Sequence, residues 1–184
     1  MEFSILYAIP RNAFLDSFFL ALTKLVGSYG QLWLILGIVL LLFKKTRKTG
    51  AAVIVSFIAV FIVGQVFLKG LFSRMRPCQI DQTFPMLIQS PTSNSFPSTH
   101  TGFSFGGATA IYKNHKKAGI AALIFAALVG FSRLYLFVHF PTDVLVGMIV
   151  GIVMGILSAK LIDREMERME KKRGEDQDSE KQSV

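Results

Sequence analysis

The sequence has few acidic residues, cysteines and histidines for its 184 residues. Outside the segment 163–184, the acids are only Glu2, Asp16, Asp81 and Asp143. A single cysteine excludes an intramolecular disulfide and leaves the redox compartment open. Charged residues make up 17% of the chain and hydrophobic residues 52%, a balance too apolar for an ordinary soluble domain.

The formal net charge of +8 does not indicate a nucleic-acid partner. The bases cluster at 44–48, 113–117 and 160–168, at the ends of apolar stretches, as expected beside anionic lipid. We therefore expect contact with membrane lipids and not with nucleic acid. The first residues lack a basic region ahead of an apolar core, so no cleavable signal peptide is expected.

Long apolar stretches predict an all-α integral membrane bundle. Six transmembrane helices are predicted, at residues 12–27, 30–43, 50–72, 97–112, 117–135 and 141–162. The first contains Lys24 and could lie partly at the membrane interface. Tyr29 and Trp33 are predicted to anchor the start of the second at that interface. The helices form one domain over 1–162, and a charged, partly disordered tail follows at 163–184.

The basic segments also predict which side of the membrane each end of the bundle faces. The positive-inside rule places all three in the cytoplasm, and with six spans both termini are then cytoplasmic. The loop 73–96 and the turn 136–140 fall on the extracytoplasmic side. The loop is predicted either to dip into lipid headgroups or to act as a lid that guides a lipid substrate.

Three glycines in the last span are spaced four residues apart, at Gly147, Gly151 and Gly155. This spacing predicts a face that packs closely against another helix. Packing within the bundle is favoured over dimerisation, but the sequence does not separate the two.

Three short motifs place polar and charged side chains at the outward ends of apolar stretches, where charge is costly unless it has a function. They are Lys69-x6-Arg76-Pro77, Pro97-Ser98-Thr99-His100 and Ser132-Arg133-x5-His139-x3-Asp143. A lone cation there would indicate snorkelling or a topology signal. Three cations (Lys69, Arg76 and Arg133) on the side that is otherwise poor in bases favour the binding of a phosphate.

The two motif histidines differ in their surroundings. His100 begins a helix, whose free N–H groups and dipole suit an anion, and Ser98 could either cap that helix or donate to phosphate. Asp143 follows His139 by four residues and could accept its ring N–H. A lone histidine is usually structural, and His115, in a basic turn, is predicted to be inert. Two histidines and a carboxylate could hold a metal, but three nearby cations oppose it, so neither metal nor cofactor is expected.

These motifs resemble the signature of the type 2 phosphatidic acid phosphatase family, within the lipid phosphatase and haloperoxidase superfamily. The family pattern is Lys-x6-Arg-Pro, Pro-Ser-Gly-His and Ser-Arg-x5-His-x3-Asp. The chain matches it over 69–143 except at Thr99, where the family usually has glycine. Glycine allows a ligand to approach the backbone closely, so Thr99 is expected to narrow the site or to add a hydroxyl donor.

The resemblance implies a role for each motif residue. His139 would attack phosphorus and form a phosphohistidine, Asp143 would orient it, and His100 would protonate the leaving oxygen and then activate water. The phosphoryl oxygens would be held by Lys69, Arg76, Ser98, Thr99 (through its backbone) and Arg133.

The resemblance further implies a metal-independent membrane lipid phosphatase that acts at the extracytoplasmic face. Undecaprenyl diphosphate is the predicted substrate, and phosphatidylglycerophosphate, phosphatidate, lipid A and phosphate transfer between lipids are the alternatives. A haloperoxidase is disfavoured because this chain is predicted to span the membrane, whereas the haloperoxidases of the superfamily are soluble. A lipid-binding or transport protein stays a competing hypothesis, and it predicts that His139 is dispensable.

Overall fold

The computed structural model describes residues 1–28 and 30–182 of the chain, and this part contains helices and no strands, as the all-α prediction requires. The helices are α1 (Glu2–Tyr7), α2 (Ala13–Val26), α3 (Gln31–Leu42), α4 (Arg47–Leu71), α5 (Pro77–Ile80), α6 (Thr99–Asn114), α7 (Lys116–Tyr135) and α8 (Pro141–Gln182). Within α4, residues Phe61–Leu68 form a π-helical segment.

Helix length and hydropathy mark fewer membrane spans than the six predicted. In the described part of the chain, three helices are long and apolar enough to cross a membrane: α4, α7 and the part of α8 over Pro141–Gln177. The shorter α2 and α3 are bent by 50° relative to each other and count as a fourth span only if taken together. At 16 residues, α6 is also short, and most of its buried residues are serine, threonine or glycine.

The parallel helices α6 and α8 pack backbone against backbone. A Cβ atom added at Gly147 would lie less than 3.0 Å from the carbonyl oxygen of Ser98, and one at Gly151 equally close to that of Gly102. Gly155 continues this row along α8. The predicted close-packing face is confirmed, and it is used inside the bundle.

The N-terminal segment lies at the motif end of the bundle. Glu2 accepts hydrogen bonds from the backbone N–H and the hydroxyl of Thr142, at 3.2 and 2.7 Å. Tyr7 donates to Asp81 at 2.7 Å. Both partners adjoin motif residues, so the prediction that the N-terminus lies on the opposite side from the motifs is wrong.

The reason is that α2 lies across the end of α7 and does not run the length of the bundle. Near the start of α2, Asp16 accepts a hydrogen bond from Tyr135 at 2.6 Å, and near its end Thr23 accepts one from Arg133 at 2.5 Å. Both donors belong to the last turn of α7. The apolar stretch 12–27 therefore forms a helix of 14 residues that starts and ends at the same end of the bundle.

The helices that connect the two ends, in the described residues, are α3, α4, α6, α7 and α8. At the far end, Lys48 pairs with Asp163 at 2.9 Å, and the three basic segments gather there. From this end α8 continues as a helix into the charged tail. The partial disorder of the tail stays a prediction.

The predicted aromatic anchor is not at the surface. Trp33 is 2% exposed and donates to the hydroxyl of Ser104 at 2.9 Å, so it is a core residue between α3 and α6. Its partner in that prediction, Tyr29, lies outside the described residues.

Candidate active site

A cavity of about 650 Å³ opens at the motif end of the bundle. Its walls come from the outward ends of α4, α6 and α7, the turn 136–140 and the loop segment 88–93. Predicted site residues on the wall are Lys69, Arg76, Thr99, His100, Arg133 and His139. The remaining two, Ser98 and Asp143, are fully buried behind it. The fold thus brings the three motifs together around one cavity.

The cavity wall carries an excess of buried positive charge. Lys69, Arg76 and Arg133 are 7%, 4% and 3% exposed, and the buried carboxylate among them is Asp143. Three cations and one anion leave a net charge of +2. Because uncompensated buried charge is costly, this wall suits a ligand with two negative charges, such as a phosphate.

His139 is fixed through both ring nitrogens. Nδ1 faces Oδ2 of Asp143 at 3.5 Å, and Nε2 lies 3.0 Å from the guanidinium of Arg76. Burial lowers the pKa of His139 to about 3, so the ring is neutral at pH 7. These partners assign the proton to Nδ1 and the lone pair to Nε2, where it accepts from Arg76. Nε2 is therefore the nitrogen that can act as a nucleophile once Arg76 turns its donor to a bound ligand.

Asp143 is enclosed by donors that determine its orientation. Oδ2 accepts from the hydroxyl of Ser95 at 2.5 Å and from the backbone N–H of Phe140 at 2.8 Å. Oδ1 accepts from Arg74 at 2.8 Å. The carboxylate is therefore held with Oδ2 toward His139.

His100 reaches the cavity from the first turn of α6. Its Nε2 lies 3.1 Å from the carbonyl oxygen of Gly27, which follows α2. A carbonyl oxygen only accepts hydrogen bonds, so Nε2 carries a proton and Nδ1 is the nitrogen left for proton transfer.

Ser98 and Thr99 begin α6 and are engaged with neighbouring side chains. Although Ser98 is at the N-cap position, its hydroxyl pairs with that of Thr101 at 2.9 Å, and within the described residues it makes no capping hydrogen bond. Thr99 donates to the amide oxygen of Gln65 at 3.4 Å. Its methyl group would lie 3.3 Å from a Cβ at Gly64, so a glycine in the π-helical segment makes room for the threonine.

Arg76 also holds the loop over the cavity. It donates to the carbonyl oxygen of Ser93 at 2.8 Å, to the hydroxyl of Ser93 at 3.0 Å and to the carbonyl oxygen of Val138 at 2.8 Å. Earlier in the loop, Phe84 stacks on Phe137 at 3.8 Å. The loop is thus packed on the protein through Phe84, and its segment 88–93 forms part of the cavity wall.

Sequence reasoning missed three residues of this site. Arg74 belongs to the outward loop, and a further base on a side that is otherwise poor in bases was a usable signal. Gln65 lines the cavity one helical turn before Lys69, and a polar residue within an apolar span was a usable signal. Ser95 belongs to a polar loop segment that carries no such signal.

Sequence comparison identifies the relatives of the chain. The model of the PAP2 superfamily matches residues 49–167. The chain is 33% identical over 139 residues to an undecaprenyl-diphosphatase of Sulfolobus acidocaldarius, covering 74% of this chain and 67% of that protein. It is 34% identical over 128 residues to the bacitracin transport permease protein BcrC of Bacillus licheniformis, covering 68% and 63%.

Two crystal structures have a similar fold. LpxE of Aquifex aeolicus superposes with a TM-score of 0.65 and 31% identity, over 82% of this chain and 88% of that one. A PAP2 type phosphatidylglycerolphosphate phosphatase of Bacillus subtilis gives 0.67 and 29%, over 84% and 79%. With the family match covering more than half of the sequence, the chain belongs to the PAP2 superfamily and is a multi-pass membrane protein of the lipid phosphatase class.

Proposed function

We propose that this protein hydrolyses undecaprenyl diphosphate to undecaprenyl phosphate and inorganic phosphate. The observation that carries the phosphatase chemistry is the buried net charge of +2 at the cavity beside the unprotonated Nε2 of His139, which lies 3.0 Å from Arg76. The choice of lipid is supported by the name of the relative that is 33% identical. Phosphatidylglycerophosphate is the second candidate, because one of the two similar crystal structures is a phosphatidylglycerolphosphate phosphatase. Phosphatidate and lipid A stay as the alternatives that the family resemblance implies.

The proposed reaction has two steps. In the first, Nε2 of His139 attacks the terminal phosphorus, and the bond from that phosphorus to the bridging oxygen of the diphosphate breaks. His100 enters this step as the imidazolium and donates its Nδ1 proton to the bridging oxygen of the leaving undecaprenyl phosphate. In the second, water attacks phosphorus while His100 takes its proton, the P–N bond breaks, and phosphate leaves. Asp143 stabilises the imidazolium of His139 through Nδ1–H.

The three buried cations would stabilise the phosphoryl oxygens throughout, in the role that a metal ion has in other phosphatases. Lys69 is suited to this role because, among the described residues, its ammonium group has no hydrogen-bond partner, whereas Arg133 is anchored by Ser132 at 2.9 Å. We therefore propose that turnover is independent of divalent metal ions.

A panel of lipids tests the substrate and the metal independence together. Purified protein, with a chelator present, is given undecaprenyl diphosphate, phosphatidylglycerophosphate, phosphatidate and lipid A, and phosphate release is measured. We expect the highest kcat/KM for undecaprenyl diphosphate, by about tenfold or more, which corresponds to roughly 1.4 kcal/mol of differential transition-state binding. A higher value for another lipid would reassign the substrate. Activity that requires added Mg²⁺ would contradict the metal-free mechanism.

We also propose that the cavity faces the extracytoplasmic side, because the basic segments gather at the other end of the bundle. The N-terminus, at the cavity end, is then extracytoplasmic too. We expect Ser4→Cys and Gln82→Cys to react with an impermeant thiol reagent on intact cells, and Lys45→Cys to react only after permeabilisation. The unmodified protein is the blank, since its one cysteine, Cys78, is buried. If Ser4→Cys and Lys45→Cys were equally protected from the reagent on intact cells, this arrangement would be refuted.

A further inference from the structure

We propose that Arg74 is a positioning residue for the phosphatase reaction, and that Glu2 in α1 holds it in place. Arg74 fixes the carboxylate of Asp143, and Asp143 in turn orients His139. This inference rests on the proposed function, because it assumes that His139 is the nucleophile.

The guanidinium of Arg74 is fixed by contacts around it. One nitrogen donates to Oδ1 of Asp143 at 2.8 Å and to the hydroxyl of Thr142 at 2.6 Å. The other pairs with Glu2, and the group lies over the ring of Phe140, 4.2 Å from its centroid. The head of this side chain is therefore held, although the side chain as a whole is 30% exposed.

Arg74 does not belong to the phosphate-binding wall. It is absent from the residues that line the cavity, whereas Arg76, two positions later, is among them. Within the described residues, its direct contact with a proposed catalytic group is the one with Asp143. That carboxylate is therefore the direct route by which Arg74 can influence the reaction.

Asp143 has two oxygens, and the structure gives them different partners. Arg74 occupies Oδ1, which leaves Oδ2 as the oxygen that faces Nδ1 of His139. Without Arg74, the remaining donors, Ser95 and the backbone N–H of Phe140, both act on Oδ2, and Oδ1 loses its charged partner. The carboxylate could then turn, and the imidazole would lose its fixed direction.

Glu2 connects this arrangement to the start of the chain. One carboxylate oxygen of Glu2 accepts from Thr142 and the other accepts from Arg74, so the acid bridges α8 and the loop after α4. Phe3, the next residue, packs edge-on against Phe140 at 5.2 Å. Helix α1 thereby clamps the turn that carries His139.

Three variants test the role of Arg74. For Arg74→Ala we expect kcat to fall about 10- to 100-fold with KM unchanged, the usual range for a residue that orients a catalytic partner. Arg74→Lys, which keeps the charge, should lose less, and Glu2→Gln should lower kcat in the same direction by a smaller factor. Millimolar guanidinium should restore part of the activity of Arg74→Ala, which a loss of folding could not explain.

The matched control is Arg11→Ala. Arg11 also ties the N-terminal segment to the loop, by donating to Pro85 at 3.0 Å, but it does not contact Asp143. We expect its kcat to match that of the unmodified protein. The proposal is refuted if Arg74→Ala keeps full kcat, or if its loss of kcat/KM comes from a higher KM. It is also refuted if Arg11→Ala loses as much kcat as Arg74→Ala does.

His139→Ala, assayed in parallel, separates this proposal from the proposed function. If His139→Ala is inactive while Arg74→Ala is fully active, only the positioning role fails. If His139→Ala turns over normally, the nucleophile assignment fails, and the role of Arg74 fails with it.

Discussion

Replacing His139 with alanine is expected to lower phosphate release by at least about 10⁴-fold, since loss of a nucleophile removes the covalent route entirely. The variant should still fold and insert, because in the described part of the chain the imidazole nitrogens contact three side chains, those of Asp143, Ser95 and Arg76, and no helix depends on them. Phosphate release from undecaprenyl diphosphate measures the effect, and thermal unfolding in detergent measures the fold.

The matched control is His115→Ala, which removes an exposed histidine at the opposite end of the bundle and should keep full activity. A labelled phosphoryl group trapped on the unmodified protein should be labile in acid and stable in base, as a phosphoramidate is, and should be absent from His139→Ala. Near-normal turnover by His139→Ala would exclude the phosphohistidine mechanism.

The same variant discriminates between catalysis and transport. One relative is named a bacitracin transport permease protein, and a cationic cavity could also bind headgroups without cleaving them. A transport or lipid-binding function predicts that His139→Ala keeps the full function of the protein, because Lys69 and Arg133 would still bind the phosphate of the lipid. A catalytic function predicts intact binding of the lipid together with lost hydrolysis.

Replacing Gly151 with leucine is expected to destabilise the bundle by more than about 3 kcal/mol, because overpacking at a backbone contact cannot be relieved by a rotamer change. Even a Cβ at this position would lie less than 3.0 Å from the carbonyl oxygen of Gly102, and it would also meet Phe105. Separating α6 from α8 would in addition move His100 away from His139. Thermal unfolding in detergent and retention on size exclusion measure the loss.

The same helix supplies the control. Among the residues that the structure describes, no atom lies within 4 Å of a Cβ added at Gly174, so Gly174→Leu should leave the midpoint of unfolding unchanged within error. Equal stability of Gly151→Leu and Gly174→Leu would show that the α6–α8 contact is not as close as described.

The sequence predicted the site better than it predicted the path of the chain. Motif spacing alone brought Lys69, His100 and His139 together, because each motif ends or begins a helix at the same end of the bundle. The placement of α2 could not be predicted in this way. Residues 12–27 have the hydropathy of a span, and only the contacts of Asp16 and Thr23 with the end of α7 show that the helix lies across the bundle.

The residues that contact the motif side chains from outside the motifs could not be predicted from the sequence either. Ser95 and Arg74 belong to a loop, and no periodicity relates a loop residue to the side chain that it will contact. Their role depends on tertiary contacts with Asp143, 48 and 69 residues away in the chain. Trp33 was predicted at the membrane interface but lies in the core for a similar reason, since the Ser104 hydroxyl that it contacts is 71 residues away in the chain.

The contact between Glu2 and Thr142 has a consequence for biosynthesis. It joins Glu2 to a residue that is made 140 residues later, so the contact can form only after the chain has been made as far as the first turn of α8. A nascent chain that ends after Arg133 but before His139 can contain the cationic residues Lys69, Arg76 and Arg133. It lacks the nucleophile His139, and it lacks Thr142 and Asp143, which Glu2 and Arg74 contact. The protein would therefore gain the ability to bind phosphate before it gains the ability to cleave it.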